Sequence, residues 1–139
     1  MSRYFRAGGL SLWNPSNRVA DLFVRTGEAF ATLTETPSGL GPVIADEHEI
    51  DPDAFAAFVD ALTRQYRSSS HVILRSLLEG FLATALVLVD RSGRDLPSLR
   101  TTAVLDPRDV SVGVDGIRPH GSLQRLLGLA DDHATAMPR

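Results

Sequence analysis

The residues best suited to chemistry crowd into Asp46-Glu47-His48-Glu49-Ile50-Asp51-Pro52-Asp53, where six ionisable side chains occupy eight positions. Carboxylates beside an imidazole are the donor set of a divalent-cation site, or of an acid and base acting on a small substrate. On that chemistry Asp46, Glu47, His48 and Glu49 are the candidate catalytic residues. A plainer use competes with it. Acids ahead of and inside the first turn of a helix complement the positive end of its dipole, and the segment has neither the glycine nor the ligand spacing of a calcium-binding loop. His48 has no second histidine four residues on, which excludes a helical metal pair. One histidine among carboxylates, in a chain without cysteine, offers few soft ligands, so no metal and no cofactor is expected.

The remaining polar signals are weaker. His71 follows Ser68-Ser69-Ser70, but no Gly-x-Ser-x-Gly elbow surrounds a serine, and serine capping of a helix explains the run better than nucleophilic catalysis. His120 and His133 lie in a stretch with little regular pattern and carry no expected role. Arg64 and Arg67 would suit a phosphate, yet on a helix they read as a solvated face. Gly8-Gly9 and Gly39-Leu40-Gly41 are turn glycines, and a chain without lysine has no P-loop. Trp13 reads as core, closing a hairpin against the helix that follows.

Elements that must position these groups follow from periodicity. Arg3 to Arg6 and Leu10 to Trp13 flank Gly8-Gly9 as a hairpin. Asn14-Pro15-Ser16-Asn17 ends it, and Ser16 or Asn17 caps a helix over about 17 to 35 whose apolar stripe is Val19, Leu22, Phe23, Thr26, Phe30 and Leu33. Gly27 in its middle implies close packing or an interruption. After a loop with Pro37 and Pro42, in which Val43 and Ile44 could add a short strand, Asp51-Pro52-Asp53 opens a second helix. It covers about 52 to 67, with Phe55, Phe58, Val59, Leu62 and Tyr66 on one face. A third helix, about 70 to 91, is apolar over most of its circumference and so needs cover on several sides. Beyond Ser92-Gly93 the apolar signal thins to Val110, Val112 and Val114 with an Asp115-Gly116 turn, then a short helix capped by Ser122 and holding Leu123, Leu126, Leu127 and Leu129. Residues 131 to 139 read as a frayed end.

Length and composition frame these elements. At 139 residues and 15.0 kDa the chain is one domain, 1–139, with a hairpin and three-helix core over 1–91 and a less regular extension over 92–139. The fold class is α+β, mainly α. Net charge is −3, so nothing draws the chain to nucleic acid, and all 14 basic residues are arginine, the mark of a GC-rich genome. The first residues lack the apolar run of a secretory signal, and Arg75 and Glu79 interrupt the only candidate membrane span, so a cytoplasmic protein without membrane contact is expected.

Together Tyr4-Phe5, Leu12-Trp13-Asn14-Pro15-Ser16-Asn17, Pro37-Ser38-Gly39-Leu40-Gly41-Pro42, the Asp46-Glu47 to Asp51-Pro52 segment and Tyr66-Arg67-Ser68-Ser69-Ser70-His71 resemble a family of small uncharacterised proteins from Streptomyces and related actinobacteria. The resemblance spans about residues 4 to 90, implies a cytoplasmic actinobacterial origin and transfers no catalytic residue. Three functions then compete. The first is a non-catalytic interaction or regulatory protein, more in keeping with the chain than an enzyme, in which a homodimer or another protein partner covers the third helix through Leu74, Leu78, Leu82 and Val89. The second is a small enzyme or metal-dependent protein of specialised metabolism using the acidic cluster around His48. The third is a module that binds an apolar small molecule between Phe23, Phe30, Phe55, Phe58 and Phe81.

Overall fold

A computed structural model describes residues 1–101 and 119–139. Strands β1 (Tyr4–Ala7) and β2 (Leu10–Trp13) form the expected hairpin, with Gly8 and Gly9 both at positive φ in its turn. Helix α1 (Asn17–Thr34) is capped by Ser16, whose hydroxyl accepts from the Val19 amide. Strands β3 (Leu40–Ile44) and β4 (Glu47–Ile50) form a second antiparallel hairpin, and helix α2 (Pro52–Ser68) starts on the Asp51 cap with Pro52 in its first turn. Helix α3 (Val72–Arg91), a short 3-10 turn (Pro97–Leu99) and helix α4 (Pro119–Thr135) complete the described elements. The sheet order is β2-β1-β4-β3, with β1 and β4 parallel and the two hairpins antiparallel. This is an α+β fold, mainly α.

The sheet is two-faced because its strands alternate. Phe5 pairs with His48 and with Trp13, all buried, while Tyr4 opposite Glu47 and Arg6 opposite Glu49 lie on the outer face. Phe5 stacks on Trp13 at 5.3 Å and on His48 at 4.9 Å between ring centres, and Phe23 meets both Phe5 and Trp13 edge-on. Trp13 is core, as its sequence context implies. The core continues into the helices through Phe81, which contacts Phe23, Phe30 and Phe58, while Phe55 lies 6.4 Å from Phe58. The five phenylalanines proposed to line a cavity therefore pack on one another.

Several expectations need correction. Helix α1 buries Ala20, Phe23 and Gly27, leaving Val19, Leu22 and Leu33 exposed, so its inner face is turned by roughly a quarter of a turn from the large-residue stripe. Gly27 is the reason. A Cβ there would stand 3.0 Å from Leu40 Cδ1 and 3.2 Å from Phe81 Cζ, so its absence lets the helix lie close to both without interruption. Helix α3 begins later than expected, and its cap is His71 itself, whose Nδ1 accepts from the Leu74 amide while Ser69 Oγ accepts from the His71 amide. Helix α4 starts at Pro119, before Ser122, and runs to Thr135. Its end is docked, not frayed: Met137 is buried and the Asn14 amide donates to Pro138 O at 2.7 Å. The hairpin expected around Val110, Val112 and Val114 lies outside the described residues.

Candidate functional site

The acidic segment does not gather into one site. Residues 47–50 are the strand β4, so the side chains of Glu47 and Glu49 leave on one face and those of His48 and Ile50 on the other. Glu47 Oε1 accepts from Arg6 Nη1 at 3.0 Å, Glu49 Oε1 accepts from the Gly8 amide at 3.0 Å, and Asp51 Oδ1 accepts from the Asp53 and Ala54 amides, both at 3.1 Å. Asp46 contributes its backbone carbonyl to the Tyr4 amide from a positive-φ turn. His48, only 4 % exposed, points inward, with Nδ1 2.9 Å from Gly41 O and Nε2 buried without a hydrogen-bond partner. Gly41 makes that contact possible, since a Cβ there would stand 2.6 Å from Glu49 O. Among the described residues no three histidines or acids are placed to hold a metal ion.

A second polar group sits where α2, α3 and α4 meet. Tyr66, fully buried, donates to Glu79 Oε2 at 2.8 Å. Arg125 Nε approaches both Glu79 oxygens, at 2.9 and 3.0 Å, and the Arg75 guanidinium lies 5.6 Å from the Tyr66 ring centre. Burial, reinforced by Glu79, pushes the Tyr66 hydroxyl up to about 12. For Glu79 burial acts upward, but hydrogen bonds from Arg125 and Tyr66, together with the two arginine charges, hold the carboxyl below its ordinary value. Near neutrality one group therefore keeps its proton and the other stays ionised, which stabilises a junction and suits a proton-transfer pair poorly. Thr84 and His133 Nδ1 add a 2.8 Å contact between α3 and α4, giving His133 a role that its position in the sequence did not suggest.

Two arginines do backbone work. Arg67, expected on a solvated face, is 8 % exposed, and its Nη1 donates to Ser98 O and to Thr101 O. Arg64 stays on the surface, 3.8 Å from Asp60. Arg91, at the end of α3, donates from Nη1 to Leu12 O at 2.8 Å and Met137 O at 2.9 Å, and from Nη2 to Ala134 O at 3.2 Å. It thereby joins α3, β2 and the tail after α4. Beside it opens a cleft of about 530 Å³ between the end of α3, the 3-10 turn and α4, with Leu86, Leu96, Leu99 and Leu127 among its walls.

Helix α3 meets its need for cover largely within the chain. Leu78, Leu82 and Val89 are buried in the core and Leu74 is half-buried against it, so these interface candidates are occupied by the chain's own α2, α4 and sheet. What remains exposed is the opposite edge of its first two turns, Val72, Ile73 and Leu77, with Ser76 and Gly80 between and after them.

The model of a family of unknown function, DUF6086, matches residues 1–139. The chain belongs to that family. The match reaches beyond the stretch of about residues 4 to 90 that carries the resemblance drawn from the sequence. No curated protein and no solved structure matches the chain. The Arg91 clasp, the Tyr66 network and the cleft escaped the sequence reading because each joins residues from separate elements, 46 positions apart for Arg91 with Met137 and for Glu79 with Arg125. The signal in the sequence was the set of four charges, Arg75, Glu79, Asp90 and Arg91, on a helix that is apolar over most of its circumference.

Proposed function

We propose that this is a non-catalytic interaction protein that associates with a second copy of itself through the exposed edge of α3. One observation carries the reading: Ile73 and Leu77 are 61 % and 66 % exposed and stand with Ser76 and Gly80 at helical spacing on an uncharged strip. The strip is self-complementary. A Cβ at Gly80 would meet nothing within 4 Å, so an antiparallel copy about a two-fold axis near Leu77 can lay its Ile73 into the gap above Gly80. The catalytic alternative is weakened by the dispersal of Asp46, Glu47, His48 and Glu49 onto separate partners.

A cytoplasmic location in an actinobacterium is the accompanying reading. Its support is the arginine-only basic complement and the burial, within the fold, of 56 % of the one stretch among the described residues that is long and apolar enough to cross a membrane, which is in α3. Light scattering during size exclusion, over a range of micromolar concentrations, tests the self-association. The expected mass rises with concentration to about twice 15.0 kDa, and Ile73→Glu with Leu77→Glu holds it at the single-chain value. A wild-type mass that stays at 15.0 kDa throughout sinks the reading.

A further inference from the structure

The cleft between the end of α3 and α4 has the volume of a small-molecule site, about 530 Å³ against the roughly 300 to 1,000 Å³ usual for such sites. Its walls are mainly aliphatic: Leu86, Leu96, Leu99, Leu127 and Ala130 all line it. The charged groups around it are not equivalent. Arg94 is engaged with Asp53 at 2.7 Å and Asp95 with Arg100, so both are satisfied elsewhere. Asp90 and Asp131 also line the cleft, but both are exposed at its rim, where water solvates them. Arg91 is the half-buried charge on the cleft wall.

A guanidinium has five N–H donors. Carbonyl oxygens take two from Nη1 and one from Nη2 of Arg91, which leaves the Nε hydrogen and one on Nη2. No carboxylate among the described residues pairs with this guanidinium, although adjacent N–H groups of this kind match the two oxygens of a carboxylate. Arg139 lines the same cleft and adds a second positive charge. Burial, with Arg139 adding to it and Asp90 opposing, holds the Arg91 group below its ordinary range, the direction expected of a cation short of an anion.

We propose that the cleft binds a monocarboxylic acid with an apolar body, its carboxylate on the free edge of Arg91 and its body against Leu86, Leu96, Leu99 and Leu127. The three carbonyl bonds of Arg91 fix the guanidinium before any ligand arrives, so little ordering is needed on binding. The site is on a different part of α3 from the Ile73 and Leu77 strip, and either proposal stands if the other falls.

The test is calorimetric titration of the full-length chain with decanoate below its micellar concentration, with 1-decanol and decylammonium as matched probes. Decanoate is expected to bind saturably, one per chain, at least about tenfold more tightly than decanol, with decylammonium weaker again. Because removing Arg91 also removes the clasp on the tail, the variant used is Leu127→Glu, at a half-exposed wall position that tolerates a polar side chain. It should melt like the wild type and weaken decanoate about tenfold or more by setting a like charge against the ligand. Absence of saturable decanoate binding overturns the proposal. So does equal or tighter binding of decanol or decylammonium, or a Leu127→Glu protein that binds decanoate as the wild type does.

Discussion

Residues 46–53 hold six ionisable groups in eight positions, while α3 holds four charged residues in twenty, yet the side-chain contacts that tie one helix to another are made by the second. In the first region the charges meet partners on the sheet surface or at a helix start: Glu49 the Gly8 amide and Glu47 the Arg6 side chain across the β1–β4 pairing, Asp51 the first amides of its own helix, Asp53 the Arg94 side chain. In the second, Arg91 and Glu79 tie α3 to β2, α2, α4 and the tail, over separations of 13 to 79 residues. The dense charge run here serves the outer sheet face and a helix cap. A lone charge on an apolar helix has to be satisfied across the fold, and that is where structure is at stake.

The sharpest test of this contrast is Arg91→Ala. It leaves three carbonyl oxygens without their donor and is expected to cost about 3 kcal/mol in urea unfolding, the largest loss among these variants. A loss under about 1 kcal/mol would put the α3 junction on a level with the acidic segment and erase the difference. Next comes Glu79→Gln, expected to cost about 2 kcal/mol at neutral pH. The pH dependence has a fixed sign. Because the fold holds Glu79 below its ordinary 4.5, the stability it gives is present above that value and fades as pH falls through the folded-state value, a slope that Glu79→Gln removes. At the alkaline end Tyr66 gives stability that is full below its ordinary 10.0 and lost as pH rises through about 12; Tyr66→Phe should delete a tyrosinate absorbance step near pH 12.

The acidic segment should answer more weakly. Asp51→Ala frees two first-turn amides of α2 and is expected to cost about 1 kcal/mol by thermal melting. Glu47→Ala and Glu49→Ala, both on the outer sheet face, should each stay within about 0.5 kcal/mol. Protein purified without chelator should carry no stoichiometric metal by elemental analysis, and a bound ion lost on His48→Ala or Glu49→Ala would reverse the ranking of the two regions.

Much of the framework was legible because its signals are local. The Gly8-Gly9 turn, the Ser16 cap and the Asp51-Pro52 start each act within a few residues, and all three stand where the sequence sets them. Strand β4 was hidden because its inward positions are His48 and Ile50, so only one of the two looks apolar, and Glu-His-Glu reads as helix capping instead of alternation. The inner face of α1 was hidden for the opposite reason: Ala20 and Gly27 mark it by being small, which a search for large apolar residues passes over. The cleft had no local signature at all, since its walls come from three elements.

The parallel pairing of β1 with β4 bears on how quickly the fold is reached. Its partners, Tyr4 with Glu47 through Arg6 with Glu49, are about forty residues apart, whereas both hairpins close over a few. On loop-closure grounds the pairing of β1 with β4, with α1 in the loop, is expected to form part of the folding transition state. In stopped-flow refolding, Phe5→Leu should chiefly slow the folding arm, while Arg91→Ala, acting on a tail that docks afterwards, should chiefly speed the unfolding arm.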